Sequence, residues 1–77
     1  MIRIHIVSGD HRQAEHLARI HQLNPTEWRY VDSLRRLQGQ RGGVAWLFGT
    51  YRQRHDLDEI EHTLRARQFH VLYLNDR

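Results

Sequence analysis

The sequence predicts an α/β fold: a small Rossmann-like parallel sheet of four strands, with the succession β-α-β-α-β-α-β and the strand order 2-1-3-4. Three observations carry this expectation. Short apolar runs suited to strands alternate along the chain with segments of helical period. Residues suited to capping a helix, Asp10, Asp32-Ser33 and Asp56, follow the first three of those runs. The third run, Val44-Ala45-Trp46-Leu47-Phe48, is unbroken, as befits a central strand covered on both faces.

In residues 2 to 7, Ile2, Ile4 and Ile6 alternate with Arg3 and His5 before Val7, the period of a strand with one apolar face. Ser8-Gly9 turns the chain. Asp10 followed by Gln13 has the spacing of a capping box, and Ala14, Leu17, Ala18 and His21 fall at helical intervals. Asn24-Pro25 ends this helix near Leu23. Trp28-Arg29-Tyr30-Val31 is rich in strand formers. Asp32-Ser33 then caps a short helix carrying Leu34 and Leu37, which Gly39 stops. Residues 41 to 43 and 49 to 55 are loop. Asp56 with Glu59 repeats the capping-box spacing before a helix whose buried stripe is Leu57, Ile60 and Leu64. Residues 69 to 74 form the last strand. No repeat, low-complexity segment or long linker divides the chain, so residues 1 to 77 are expected to form a single domain.

In this arrangement the first helix covers one sheet face and the two later helices cover the other. The second helix is only about two turns long. The face opposite Ile2, Ile4 and Ile6 is therefore thinly covered, and Arg3 and His5 point towards it. Two explanations fit: polar side chains snorkelling past a short helix, or a surface covered by a second copy or another protein. On the second, Arg3 and His5 are candidate interface residues.

A chain of 77 residues buries only about 60% of the surface that its unfolded form exposes. The absence of cysteine removes disulfides and cysteine-based zinc sites as supplements. Good local structure, oligomerisation or a bound partner remain. All twelve basic residues are arginine, set against nine acids for a net charge of +3. Arginine suits phosphate and carboxylate recognition, yet the twelve are spread without a basic run, as a GC-rich coding sequence also produces. The run Val44 to Phe48 falls far short of the roughly 20 residues that span a bilayer. Arg3 and His5 interrupt any apolar secretory signal. No membrane association and a cytoplasmic location are expected.

Ligands of such folds dock beyond the carboxyl ends of the strands, where the strand order reverses. The loops converging there carry Ser8, Gly9, Asp10 and Arg12 after the first strand, and Thr50, Tyr51, Arg52 and Arg54 after the third. Together these form the candidate ligand cleft. The stretch IHIVSGDHRQAE, residues 4 to 15, has the strand-turn-helix form with which many nucleotide-binding proteins begin. A Walker loop, however, needs a glycine-rich turn ending in Lys and Ser or Thr, and a dinucleotide fingerprint needs three spaced glycines. Here Gly9 stands alone, lysine is absent, and Asp10 places a negative charge where a phosphate would lie. Gly9 therefore reads as a tight turn and Asp10 as a cap, with no cofactor expected.

Asp10 acting as a nucleophile or magnesium ligand needs further carboxylates. Asp32 shares its edge and Asp76 trails the last strand, and each has a simpler role as cap or tail. Seven histidines do not assemble a metal site: His11, His16 and His21 turn about 140° per step around a helix, and His55 and His62 lie about 10 Å apart along one. No catalytic and no metal-binding residue is assigned. Arg52 and Arg54 beside Tyr51, with Arg35, Arg36 and Arg41, are placed to form one basic edge for nucleic acid. Trp28, Trp46 and Phe48 sit in strands and are more simply core.

The order of segments carries a resemblance. VSGDHRQAEHLARIHQLNPTEWRYV followed by LQGQRGGVAWLFGTYRQRHDLDEIEHTLRARQFHVLYL resembles the small Rossmann-like proteins encoded by actinobacterial phages of mycobacteriophage type and by prophages. In those proteins a strand and SG or TG lead to a helix beginning RQAE, a W-R-Y-V strand, and a glycine-rich run before an apolar strand. The resemblance spans nearly the full length. It implies a phage-encoded or prophage-derived protein of the host bacterial cytoplasm and transfers no catalytic residue. The functional expectation is a non-enzymatic protein that acts by protein binding, to itself as a homodimer or to a host protein. The alternative is a nucleic-acid or nucleotide-binding module using Arg12, Arg52 and Arg54.

Overall fold

The computed structural model describes residues 2–74. Four strands, β1 (Ile4–Val7), β2 (Trp28–Tyr30), β3 (Val44–Leu47) and β4 (His70–Tyr73), pair in parallel in the order β2-β1-β3-β4. This is the expected Rossmann-like sheet. Ile4 lies level with Trp28 and Val44, and Val44 with His70, so all four carboxyl ends share one edge.

Two α-helices cross over the sheet, α1 (His11–Ile20) and α2 (Leu57–Ala66). The expected helix around Leu34 and Leu37 is instead a single 3-10 turn, Leu34–Leu37. Ser33 makes no side-chain capping bond and Gln38 is already extended at ψ 133°, so nothing propagates the turn beyond its costly first bonds. A second 3-10 turn, Tyr51–Gln53, lies in the stretch expected to be loop, and it buries Tyr51 in the core.

Asp10 caps α1 as its spacing predicts, its Oδ1 accepting the Gln13 amide at 2.9 Å. Asp56 does not cap α2 through its side chain. Its backbone is bent rather than extended, at φ −99° and ψ 12°, and its carboxylate is held by Arg54. Both helices end alike: Gln22 and Gln68 adopt φ of 55° and 63°, and the next amide, Leu23 or Phe69, bonds back to Ala18 or Leu64 at 2.9 Å. This Schellman ending stops α1 at Ile20, short of Leu23, and turns the apolar Leu23 and Phe69 onto the sheet.

The sheet separates two apolar layers. Ala14, Leu17 and Ala18 of α1 pack on Ile6 and Phe48, with Trp28 and Trp46 half-buried around them. On the other face Leu37, Tyr51, Ile60 and Leu64 pack on Val7, Ala45 and Leu47.

Arg3 and His5 do not share an open face. Arg3 precedes β1, is exposed, and lies 3.5 Å from Glu27. His5 is 2% exposed, with the Phe69 ring edge-on at 5.2 Å. The 3-10 turn is indeed short, but Phe69 closes the gap it leaves. Thin cover occurs on the opposite face, where α1 packs towards β2 and leaves Leu72 of β4 39% exposed.

Neither ring nitrogen of His5 has a hydrogen-bond partner among the described residues. Burial, and then the Arg29 charge, hold its pKa below the ordinary 6.5, while the nearby Val44 backbone, outside good hydrogen-bond geometry, opposes them weakly. Because the folded pKa is the lower one, unfolding takes up a proton below that ordinary value. The His5 contribution to stability is therefore constant above about pH 6.5 and falls as pH drops towards the folded pKa. Replacing His5 by Leu is expected to flatten the pH dependence between about pH 7 and 5 and to add about 1 kcal/mol at neutral pH. Urea unfolding at both pH values measures this, and an unchanged slope would assign the dependence to another group.

Candidate functional site

At the carboxyl edge of the sheet, the turns after β1 and β3 touch. A Cβ at Gly9 would overlap the Thr50 hydroxyl, and one at Gly49, whose φ is 66°, would overlap the Gln13 side chain. Close approach therefore demands glycine at both positions. Gln13 fills the space between the turns. Its Oε1 accepts the Gly9 amide at 2.9 Å and the Thr50 amide at 3.0 Å, while its Nε2 donates to Thr50 Oγ1 at 3.0 Å. The capping-box spacing predicts that Gln13 reaches back to Asp10; it reaches Gly9 and the neighbouring loop instead. Amides of the kind that a phosphate-binding turn presents to an anion are thus engaged by the protein's own carboxamide.

Arg54 closes the same edge. A guanidinium has five N–H donors, and each of them is used. Nε and Nη2 meet the two carboxylate oxygens of Asp56, both at 3.0 Å. Nη1 donates to the carbonyls of Ser8 at 3.2 Å and Val31 at 2.6 Å, and Nη2 also donates to the Asp32 carbonyl at 3.2 Å. The side chain is 9% exposed, and its guanidinium lies 5.8 Å from the centre of the Tyr30 ring. Strand-end carbonyls need donors when they are withdrawn from water. Arg54, expected as a cleft cation, supplies them and has no N–H left for a ligand.

A cleft of about 550 Å³ opens beside this tie, and Gly9, Thr50 and Arg54 line it together with Tyr30, Asp32 and Asp56. The other expected cleft residues lie elsewhere. Ser8 is buried, its Oγ donating to the Asp10 carbonyl at 2.7 Å. Arg12 borders a separate shallow depression with His16 and Phe48. Tyr51 belongs to the core, and exposed Arg52 donates Nε to its hydroxyl at 3.2 Å. Asp10 is engaged as the cap.

Three residues that shape the site escape the sequence reading. Tyr30 looks like an ordinary strand aromatic, Asp56 has the spacing of a cap, and Gln13 that of a capping box. The close Arg54-x-Asp56 pair is the one local signal of an ion pair.

The electrostatics of the cleft oppose a second anion. Burial raises the Tyr30 hydroxyl pKa and Arg54 counters it, while Asp10, Asp32 and Asp56 push it further up. Arg54 holds the Asp56 carboxyl below the usual carboxylate range, and Arg36, 3.1 Å away, does the same for Asp32. An entering phosphate thus meets the carboxylates of Asp32 and Asp56 beside a saturated guanidinium. Among the described residues, no group of three or more His, Asp or Glu is placed to hold a metal ion. Asp76, the remaining acid weighed for such a role, lies outside them.

Replacing Arg54 by Lys leaves three donors without the planar fork, and is expected to cost about 3 kcal/mol. That is a large part of the roughly 4–12 kcal/mol available to a chain of this length. Replacing Gln13 by Ala strands two amides and is expected to cost about 1–2 kcal/mol. Denaturant midpoints report both, and a cost for Arg54→Lys below that for Gln13→Ala would show that the fork is not the main tie. The chain matches no family model, no curated protein and no solved structure, so the geometry carries the functional argument.

Proposed function

We propose that this is a small phage-type protein that acts by binding protein, either a second copy or a host protein, and that it binds through its β4 side. The observation that carries this is a contrast between two regions of the surface. At the switch-point cleft, the Gln13 carboxamide and the Arg54 guanidinium are taken up by the protein's own groups. At β4, apolar side chains face water: Leu72 is 39% and Tyr73 50% exposed.

The two sheet edges also differ. β2 has three residues, follows Pro25 and carries Arg29, while His11 packs against the rings of Trp28 and Tyr30 at 6.0 and 5.4 Å. Shortness, charge and nearby proline are the ordinary defences of an edge. β4, with the sequence HVLY, has no Lys, Arg or Pro, which leaves it open to another chain. The nucleic-acid alternative loses Arg54 to the internal tie and keeps the exposed Arg12 and Arg52. No described helix is long and apolar enough to cross a membrane.

Position 72 provides the test. A photo-crosslinking residue there is expected to capture protein in producing cells, whereas one at the exposed position 12 does not. Leu72→Arg is expected to abolish association seen by light scattering while shifting unfolding stability by no more than about 0.5 kcal/mol. No protein crosslink at position 72, or a purified sample carrying nucleic acid that salt removes, would overturn the proposal.

A further inference from the structure

We infer that the partner of β4 is a second copy of this chain, paired antiparallel about a two-fold axis at Leu72, so that two four-stranded sheets become one of eight strands. The inference rests on the protein-binding reading above and specifies its partner.

The backbone sets the register. The amides of His70 and Leu74 bond inward to Gly43 and Leu47, each at 2.8 Å. Alternation along a parallel ladder leaves the amides and carbonyls of Val71 and Tyr73 pointing away from β3. With Val71 set opposite Tyr73 of a second, antiparallel copy, every outward group of both residues is used. A shift of one residue sets outward groups against inward ones, and a shift of two towards Val71 sets Tyr73 opposite Phe69, whose amide is already bonded to Leu64. The chosen register brings Leu72 opposite Leu72 across the axis, on the thinly covered face, where its side chain is exposed.

Charge selects the same arrangement. The Tyr73 hydroxyl donates to Glu61, and α2 runs through its Phe69-to-Leu64 ending straight into β4 at His70, so Glu61 lies near the level of Tyr73. One strand residue, from Tyr73 back to Leu72, spans about 3.3 Å, or about two residues of helix rise. Since α2 runs opposite to the strands, an axis at Leu72 crosses α2 near Thr63. Two-fold symmetry then sets Glu61 level with Arg65 of the second copy, and Arg65 level with Glu61. Glu61 and Arg65 stand one helical turn apart on the same face of α2, and Glu61 meets the Tyr73 hydroxyl, so both lie on the flank of α2 beside β4. Such a flank is complementary to its own two-fold image, as an isologous contact requires. The β2 edge lacks this property, because the same pairing centred on β2 would oppose Arg29 with Arg29.

Charge reversal tests the geometry. Glu61→Arg and Arg65→Glu, each alone, oppose like charges at both contacts, and an equimolar mixture of the two restores opposite charges in a mixed dimer. The wild-type chain is expected to show a doubled mass by light scattering that dissociates on dilution. Each variant is expected to raise the dimer Kd by about tenfold, with an unfolding midpoint close to wild type at dilutions where all the chains are monomeric. Native mass spectrometry of the mixture is expected to show the mixed dimer in excess over both parents. A wild-type dimer whose Kd neither variant changes overturns the two-fold β4 pairing and leaves the protein-binding reading standing. A wild-type chain that is monomeric throughout overturns the second copy as partner, and crosslinking at position 72 then decides separately whether β4 binds another protein.

Discussion

The Arg54 guanidinium is the contact on which the rest of this structure depends. A parallel sheet of three- and four-residue strands has few ladder bonds, and it delivers all its strand ends to one edge. There the Ser8 carbonyl follows β1, and the carbonyls of Val31 and Asp32 follow β2, with Arg54 itself arriving from β3. One planar fork gathers these three carbonyls, and Asp56 offsets the buried charge. An ammonium cannot reproduce the arrangement, because its three donors radiate from a point.

That tie explains why the architecture and the expected ligand site part company. In open α/β sheets the strand-order reversal is where ligands bind. Here Gln13 spans the adjacent turns and Arg54 holds the strand ends, so the groups best suited to grip an anion are already engaged. The two glycines serve the same end, since each permits a contact that a side chain would block. A 77-residue chain without disulfides uses its switch point as a clasp.

Stability obtained at one edge leaves incomplete cover at another. The single helix α1 sits towards β2, so the half of its sheet face that carries Trp46 and Leu72 is less well covered. The Trp46 indole nitrogen lies buried there without a hydrogen-bond partner among the described residues. The His21 ring is 4.9 Å from Trp46, a partial cover supplied by the helix end. A small α/β domain has too few helices to close both faces of four strands, and the apolar remainder falls at β4.

Local chain chemistry accounts for the alternation of strands and helices and for the Asp10 cap, and it allows the parallel order 2-1-3-4. These follow from local periodicity, cap chemistry and the handedness of crossovers, all of which act over a few residues or one connection. Only the tertiary structure decided that the segment around Leu34 stays a 3-10 turn, that Asp56 serves Arg54 rather than α2, and that Gln13 reaches across to Thr50. It also decided which face is thin: His5, read as facing an opening, lies beneath Phe69, because a Schellman turn at Gln68 folds that ring over it. The Gln13 and Arg54 ties depend on which loops meet in space, and spacing along a chain does not encode the distance between side chains separated by 20 or more residues.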